Sequence, residues 1–146
     1  MYQANLSRFT EAHERYYSAA LREIQNGRKE NHWMWFIFPQ IKGIGRSPMA
    51  QYYAIQSMEE ARAFLQVPYL GGHLVEISNA LLKLGTNDPK EVFYRPDDRK
   101  LRYSMTLFAL ISEDGSVFHQ VLEKYYHGKM DGRTLRILNI GNHDAK

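Results

Sequence analysis

Apolar residues recur along this chain at steps of three, four and seven, the spacing of one face of an α-helix. Leu6, Phe9, Tyr16, Ala20 and Ile24 share such a face, and Gly27 stands where a C-terminal cap belongs. Ser47-Pro48 puts a cap residue directly before a proline suited to the first helical position. Ser57-Met58-Glu59-Glu60 reads as a capping box opening a helix that carries Ala61, Phe64 and Leu65. Pro68 starts another, with Leu70, Leu74, Ile77, Leu81 and Leu84 in register and Gly85 as its stop. Asp88-Pro89 repeats the cap-plus-proline start for a short helix through Phe93, and Asp97 is expected to cap a longer one striped by Leu101, Met105 and Phe108. Glu113-Asp114-Gly115 is a turn, Ser116 restarts a helix through Tyr126 that Gly128 ends, and a last short helix follows Asp131.

No stretch sustains the period-two alternation of a half-buried strand. The segment Trp33–Ile41 is short, aromatic and apolar, and periodicity does not separate a buried strand from a buried helix there. There is no repeat, low-complexity segment or linker. The pattern predicts an all-α fold: one compact domain of about seven or eight short helices over residues 1–146, with an ordered core about 5–139 and a frayed tail at 141–146.

Composition narrows the class. At 146 residues the chain fits one domain, and such a domain buries about 68–70% of the surface of its unfolded chain. The absence of cysteine removes disulfides and cysteine–zinc sites and suits a reducing compartment. The polar start Met1–Arg8 lacks a signal-peptide pattern, and the longest apolar run, Trp33–Phe38, is far short of the roughly 20 residues of a membrane span. A cytoplasmic protein with no membrane partner is expected. Net charge is +3, but the nineteen Lys and Arg are dispersed, which places nucleic-acid binding behind solvated helix faces. His13, His73, His119, His127 and His143 lack metal-ligand pairing, and no cofactor fingerprint is present.

Candidate chemistry gathers in two blocks. In the first, His32 can serve as acid or base, Trp33 and Trp35 offer flat faces for stacking, and Gln40 can read a hydrogen-bonding edge. The apolar members of this block read mainly as core, which moves the functional weight to His32 and Gln40. Behind it, Gly43-Ile44-Gly45-Arg46-Ser47-Pro48 is neither a P-loop nor a dinucleotide fingerprint. It does set Gly43, Gly45, Arg46 and Ser47 before a helix start, where backbone N–H groups and a guanidinium suit a phosphate or carboxylate. Tyr53 follows the loop and is expected to line the same pocket. In the second block Asp97, Lys100 and Ser104 form one polar stripe. A lysine one turn from a serine is compatible with nucleophile activation, so Lys100 and Ser104 join His32 as candidate catalytic groups, although a structural or ligand-contacting role is favoured for the pair.

His32-Trp33-Met34-Trp35-Phe36-Ile37-Phe38-Pro39-Gln40, the glycine loop behind it and Pro96–Phe108 carry a likeness, together with Tyr53-Ala54-Ile55 and Glu60-Ala61-Arg62. Over roughly Leu6 to Leu138 the chain resembles the domain of unknown function 1810 family. The resemblance implies a compact helical domain and no established activity. Tyr103 departs from it, standing where the family usually has the first of two serines. Some members carry a calpastatin label, whereas this chain lacks the extended, disordered composition of such an inhibitor.

The combined expectation is a small-molecule-binding domain for a nucleotide-like or other anionic ligand, with enzymatic activity left open. Its flat part would stack near Trp33 or Trp35 and its anionic part would meet Arg46 and the N–H groups near Ser47. A protein-interaction domain and a nucleic-acid-binding module are the alternatives. The pattern specifies no oligomeric state.

Overall fold

The helix signals are realised one after another. The computed structural model describes residues 5–140, and among these nine helices follow in chain order. They are α1 (Ser7–Gln25), α2 (Met34–Ile37), α3 (Pro48–Tyr53), α4 (Met58–Gln66), α5 (Pro68–Leu82), α6 (Pro89–Phe93), α7 (Asp97–Leu110), α8 (Val117–Tyr126) and α9 (Gly132–Ile137). The tail expected at 141–146 lies outside the described residues.

The caps explain the boundaries. Ser47, Ser57, Asp88, Ser116 and Asp131 accept from the N–H groups of Ala50, Glu60, Lys90, His119 and Thr134. Each such cap stabilises its helix by about 1 kcal/mol. At the end of α1 the Gly27 N–H donates to the Ile24 carbonyl at 2.8 Å and the Arg28 N–H to the Glu23 carbonyl at 3.0 Å. With Gly27 at φ +87°, this is the Schellman arrangement.

Three details depart from the sequence reading. Tyr16 is 44% exposed, and the buried stripe of α1 runs through Phe9, His13, Tyr17, Ala20 and Ile24. The undecided segment Trp33–Ile41 forms the single turn α2, then extends until Ile41 pairs with Ile55 in an isolated parallel bridge. Asp97 does not cap α7. Pro96 occupies the cap position without a side-chain cap bond, the Asp98 N–H donates to the Tyr94 carbonyl at 2.8 Å, and the Asp97 carboxylate is taken up by two lysines.

The core is organised around α5, whose Leu70, Leu74, Ile77 and Leu81 expose no surface. It packs on α1, α4 and α8, while α7 packs on α6, α8 and α9. A fully buried Leu or Phe contributes about 1.5–3 kcal/mol. Only Val67 separates α4 from α5, and Gly71 permits the tight junction: a Cβ there would lie 2.0 Å from the Leu65 carbonyl oxygen. Trp33, Phe38 and Phe93 extend the core beneath α2 and α6, their ring centroids 5.8–6.4 Å apart.

Candidate functional site

The loop between α1 and α2 is built on one buried carboxylate. Glu23 accepts from the backbone N–H groups of Glu30 (2.7 Å) and Asn31 (3.0 Å), from Asn31 Nδ2 (2.7 Å) and from the indole Nε1 of Trp33 (2.8 Å). Burial alone would raise this acid, but the donors outweigh it and hold Glu23 below the usual carboxylate range. The loop is tied across to α6 by the Lys29 N–H, which donates to the Val92 carbonyl at 2.8 Å. Residues 28–33 are thereby fixed against the start of α7.

A cleft of about 340 Å³ opens between this loop and the α6–α7 turn, and His32, Trp35, Asp97 and Lys100 all line it. Lys29 joins them, almost fully buried, with its Nζ 2.9 Å from Asp97 Oδ2 and 5.2 Å from the centre of the Trp33 ring. Lys100 Nζ lies 3.3 Å from Asp97 Oδ1 and 5.6 Å above the Trp35 ring. One carboxylate therefore holds two ammonium groups, while the Glu30 carboxylate lines the same cleft without an ion pair to either lysine among the described residues. Arg95, also in the lining, stands 3.7 Å from the buried Asp98 carboxylate.

The other expected site residues separate from this cleft. Trp33 has no exposed surface and its N–H is spent on Glu23, so it is core rather than a stacking wall. Gln40 is 8% exposed and its carbonyl accepts from Ile55 at 2.8 Å, making it part of the bridge between two extended segments. Ser104 is sealed from solvent and its hydroxyl has no hydrogen-bond partner among the described residues, while the Lys100 ammonium is engaged with Asp97. This geometry accords with the structural or contacting role favoured for Lys100 and Ser104 over nucleophile activation.

Gly43, Gly45 and Arg46 line a different recess of about 390 Å³ with Lys42, Gln51 and Gln56. Gly45 is there for close packing, since a Cβ would meet the Ala50 Cβ at 2.4 Å. The Ser47 hydroxyl serves its own six-residue helix by accepting from Ala50. The glycine loop and the second block therefore do not share one pocket. Tyr53 and His32 line a third recess, of about 490 Å³, over the outer face of α1. His32, exposed, is common to that recess and the basic cleft.

Sequence reasoning missed a pair of histidines. His13 Nε2–H donates to the Phe36 carbonyl at 2.9 Å, which leaves Nδ1 of the neutral ring to accept from His73 Nδ1–H at 3.0 Å. The two rings are coplanar to 3°. Tyr17 stacks on His73 with centroids 3.6 Å apart and donates its hydroxyl to Glu76 at 2.5 Å. Burial pushes His13 down to about 4, with the Phe36 bond opposing and the charge of His73 assisting; burial lowers His73 as well, against the pull of Glu76. The sequence signal was His13 itself, a polar residue on the apolar stripe of α1. Among the described residues no group of three or more His, Asp or Glu side chains is placed to hold a metal ion.

Fold and cleft together define a small all-α domain with solvent-open polar recesses, and none of its described helices is long and apolar enough to cross a membrane. The chain belongs to the family described as protein of unknown function (DUF1810), whose model matches residues 3–138. Among solved structures it is similar to the crystal structure of the conserved hypothetical protein Rv1873 from Mycobacterium tuberculosis. The two are 43% identical with a TM-score of 0.89, over 92% of this chain and 96% of that one. No curated protein matches the chain.

Proposed function

We infer that the chain binds a small anionic metabolite in the cleft between the α1–α2 loop and the start of α7. The observation that carries this reading is the Asp97 carboxylate shared by Lys29 and Lys100, with the Lys100 ammonium over the Trp35 ring. An incoming phosphate or carboxylate would meet the lysine pair beside Asp97, against the opposing charge of Glu30 in the same lining. A flat group attached to it would lie against Trp35, as in a nucleotide-like ligand. His32, exposed at the mouth, is the candidate acid or base should the bound molecule undergo a reaction.

Thermal unfolding in the presence of nucleotides, nucleotide sugars and phosphorylated metabolites tests the reading. At least one of these classes should raise the midpoint. Lys100→Ala should remove that response, and Arg46→Ala should preserve it, because Arg46 lines a separate recess. The proposal fails if no compound stabilises the protein or if Lys100→Ala responds as the wild type does. Loss of the response in Arg46→Ala alone would move the anion to the glycine-loop recess.

A further inference from the structure

The recess over α1 has a different chemistry from the basic cleft. Four aromatic rings follow one another around it as an arc: Tyr16, Phe36, Tyr53 and Tyr52. Successive centroids are 5.4, 5.1 and 4.8 Å apart, and successive planes are inclined by 40°, 57° and 85°. Phe36 is 2% exposed and forms the floor, while Tyr16 and Tyr52, at 44% and 59%, form the walls. Successive rings touch one another at steep tilts, leaving no slot between them in which a planar base would be sandwiched. All four rings line one volume, and an aromatic lining attracts a compact organic cation.

The charges around the arc agree with that preference. Glu11 and Glu14 line the recess and enter no ion pair among the described residues. Arg8, also in the lining, is neutralised by Glu60 at 2.7 Å, and it further donates to the Ala54 carbonyl at 2.9 Å. Its guanidinium is laid over the Phe9 ring, 4.3 Å from the centre. Arg15 is the one lining guanidinium with no such partner among the described residues, and it opposes a bound cation. Burial holds the Tyr53 phenol above its usual range, with Tyr52, Tyr16 and Glu11 adding to the effect against Arg15, so the ring carries no charge of its own into the arc.

We propose that this recess is a binding site for a quaternary ammonium group, held by the arc Tyr16–Phe36–Tyr53–Tyr52 and the carboxylates of Glu11 and Glu14. The site is distinct from the basic cleft and shares only His32 with it.

Calorimetric or NMR titration with choline, beside its neutral isostere 3,3-dimethylbutan-1-ol, separates cation recognition from simple apolar filling. Choline should bind about tenfold more tightly than the isostere. Tyr52→Ala, at an exposed ring whose loss leaves the core intact, should weaken choline at least tenfold with an unchanged melting midpoint. Arg15→Gln should strengthen it, and Lys100→Ala should leave it unaltered. The proposal is overturned if choline does not bind, if the isostere binds equally well, if a flat heteroaromatic such as nicotinamide is preferred, or if Tyr52→Ala has no effect.

Discussion

The indole N–H of Trp33 ends on the carboxylate of Glu23, 2.8 Å away and out of contact with solvent. That bond joins the last turn of α1 to the segment that carries Lys29 and His32 into the cleft. Removing the carboxylate deprives four donors of their acceptor, of which the Trp33 indole N–H is fully buried. Glu23→Ala should therefore cost about 3 kcal/mol of stability, since a buried donor left unmade costs 1–3 kcal/mol and several lose a charged acceptor here. Urea unfolding measures the loss. A cost below about 1 kcal/mol would mean that the loop is held by other contacts.

Two adjacent glycines on α5 should respond to alanine with opposite signs. At Gly71 the added Cβ would lie 2.0 Å from the Leu65 carbonyl oxygen, with only backbone to yield. At Gly72 nothing stands within 4 Å, and the position is exposed in a helix interior. Gly71→Ala should lower stability by about 3 kcal/mol or more through overpacking, whereas Gly72→Ala should raise it by up to about 1 kcal/mol through helix propensity. Paired denaturation curves decide this. Equal effects of the same sign would show that the α4–α5 junction yields.

The His13–His73 pair makes stability depend on pH. His13 takes up its proton near 6.5 when unfolded but only at about 4 in the fold, so between those values the unfolded chain binds more protons. Stability should be full above about pH 6.5 and fall as the pH drops toward 4, with a total loss of about 3 kcal/mol from this residue. The lowered value of His73 acts in the same direction. Glu23, held below the usual carboxylate range, contributes stability that is fully present above the ordinary carboxylate value and is lost as the pH falls below it. Replacing His13 with Gln should flatten the dependence between pH 7 and 5, and an unchanged slope of the unfolding midpoint with pH would refute the assignment.

Helix boundaries were legible because they depend on neighbours in sequence. Ser47, Ser57, Asp88, Ser116 and Asp131 bond N–H groups two or three residues ahead, and their residue types announce it. Asp97 has the same residue type at a helix start, yet two lysines claim it, one of them 68 positions back in the chain. No local rule anticipates that competition. The candidate site was legible in part for the same reason: His32, Trp35, Asp97 and Lys100 do line one cleft, while Lys29 enters it through the Glu23-bound loop and went unnoticed. Tyr16 and Tyr17 are one residue apart in helical phase, and apolar spacing alone does not say which of the two joins the stripe of α1. Tyr17 stacks on His73 while Tyr16 stands in the exposed aromatic wall, since at three to four residues per turn the two neighbours face different surroundings.

Asp97 lets the architectural and the binding roles of the cleft be separated. Its carboxylate shields Lys29, whose side chain is only 7% exposed, and Lys100, whose side chain is 26% exposed. In Asp97→Asn the buried Lys29 ammonium loses its counter-ion, and breaking such a pair from one side costs about 3 kcal/mol. The same change removes a negative charge from the wall of the recess, so an anion should bind several-fold more tightly even as the melting midpoint falls. Lys100→Ala should show the converse pattern, with a smaller loss of stability and a loss of anion response. Measuring melting midpoint and anion affinity on the two variants distinguishes the cases. Opposite movements in Asp97→Asn would assign Asp97 to holding the lysines against each other until a ligand arrives. A parallel loss of both would mean that the carboxylate sets the lysine geometry on which any anion depends.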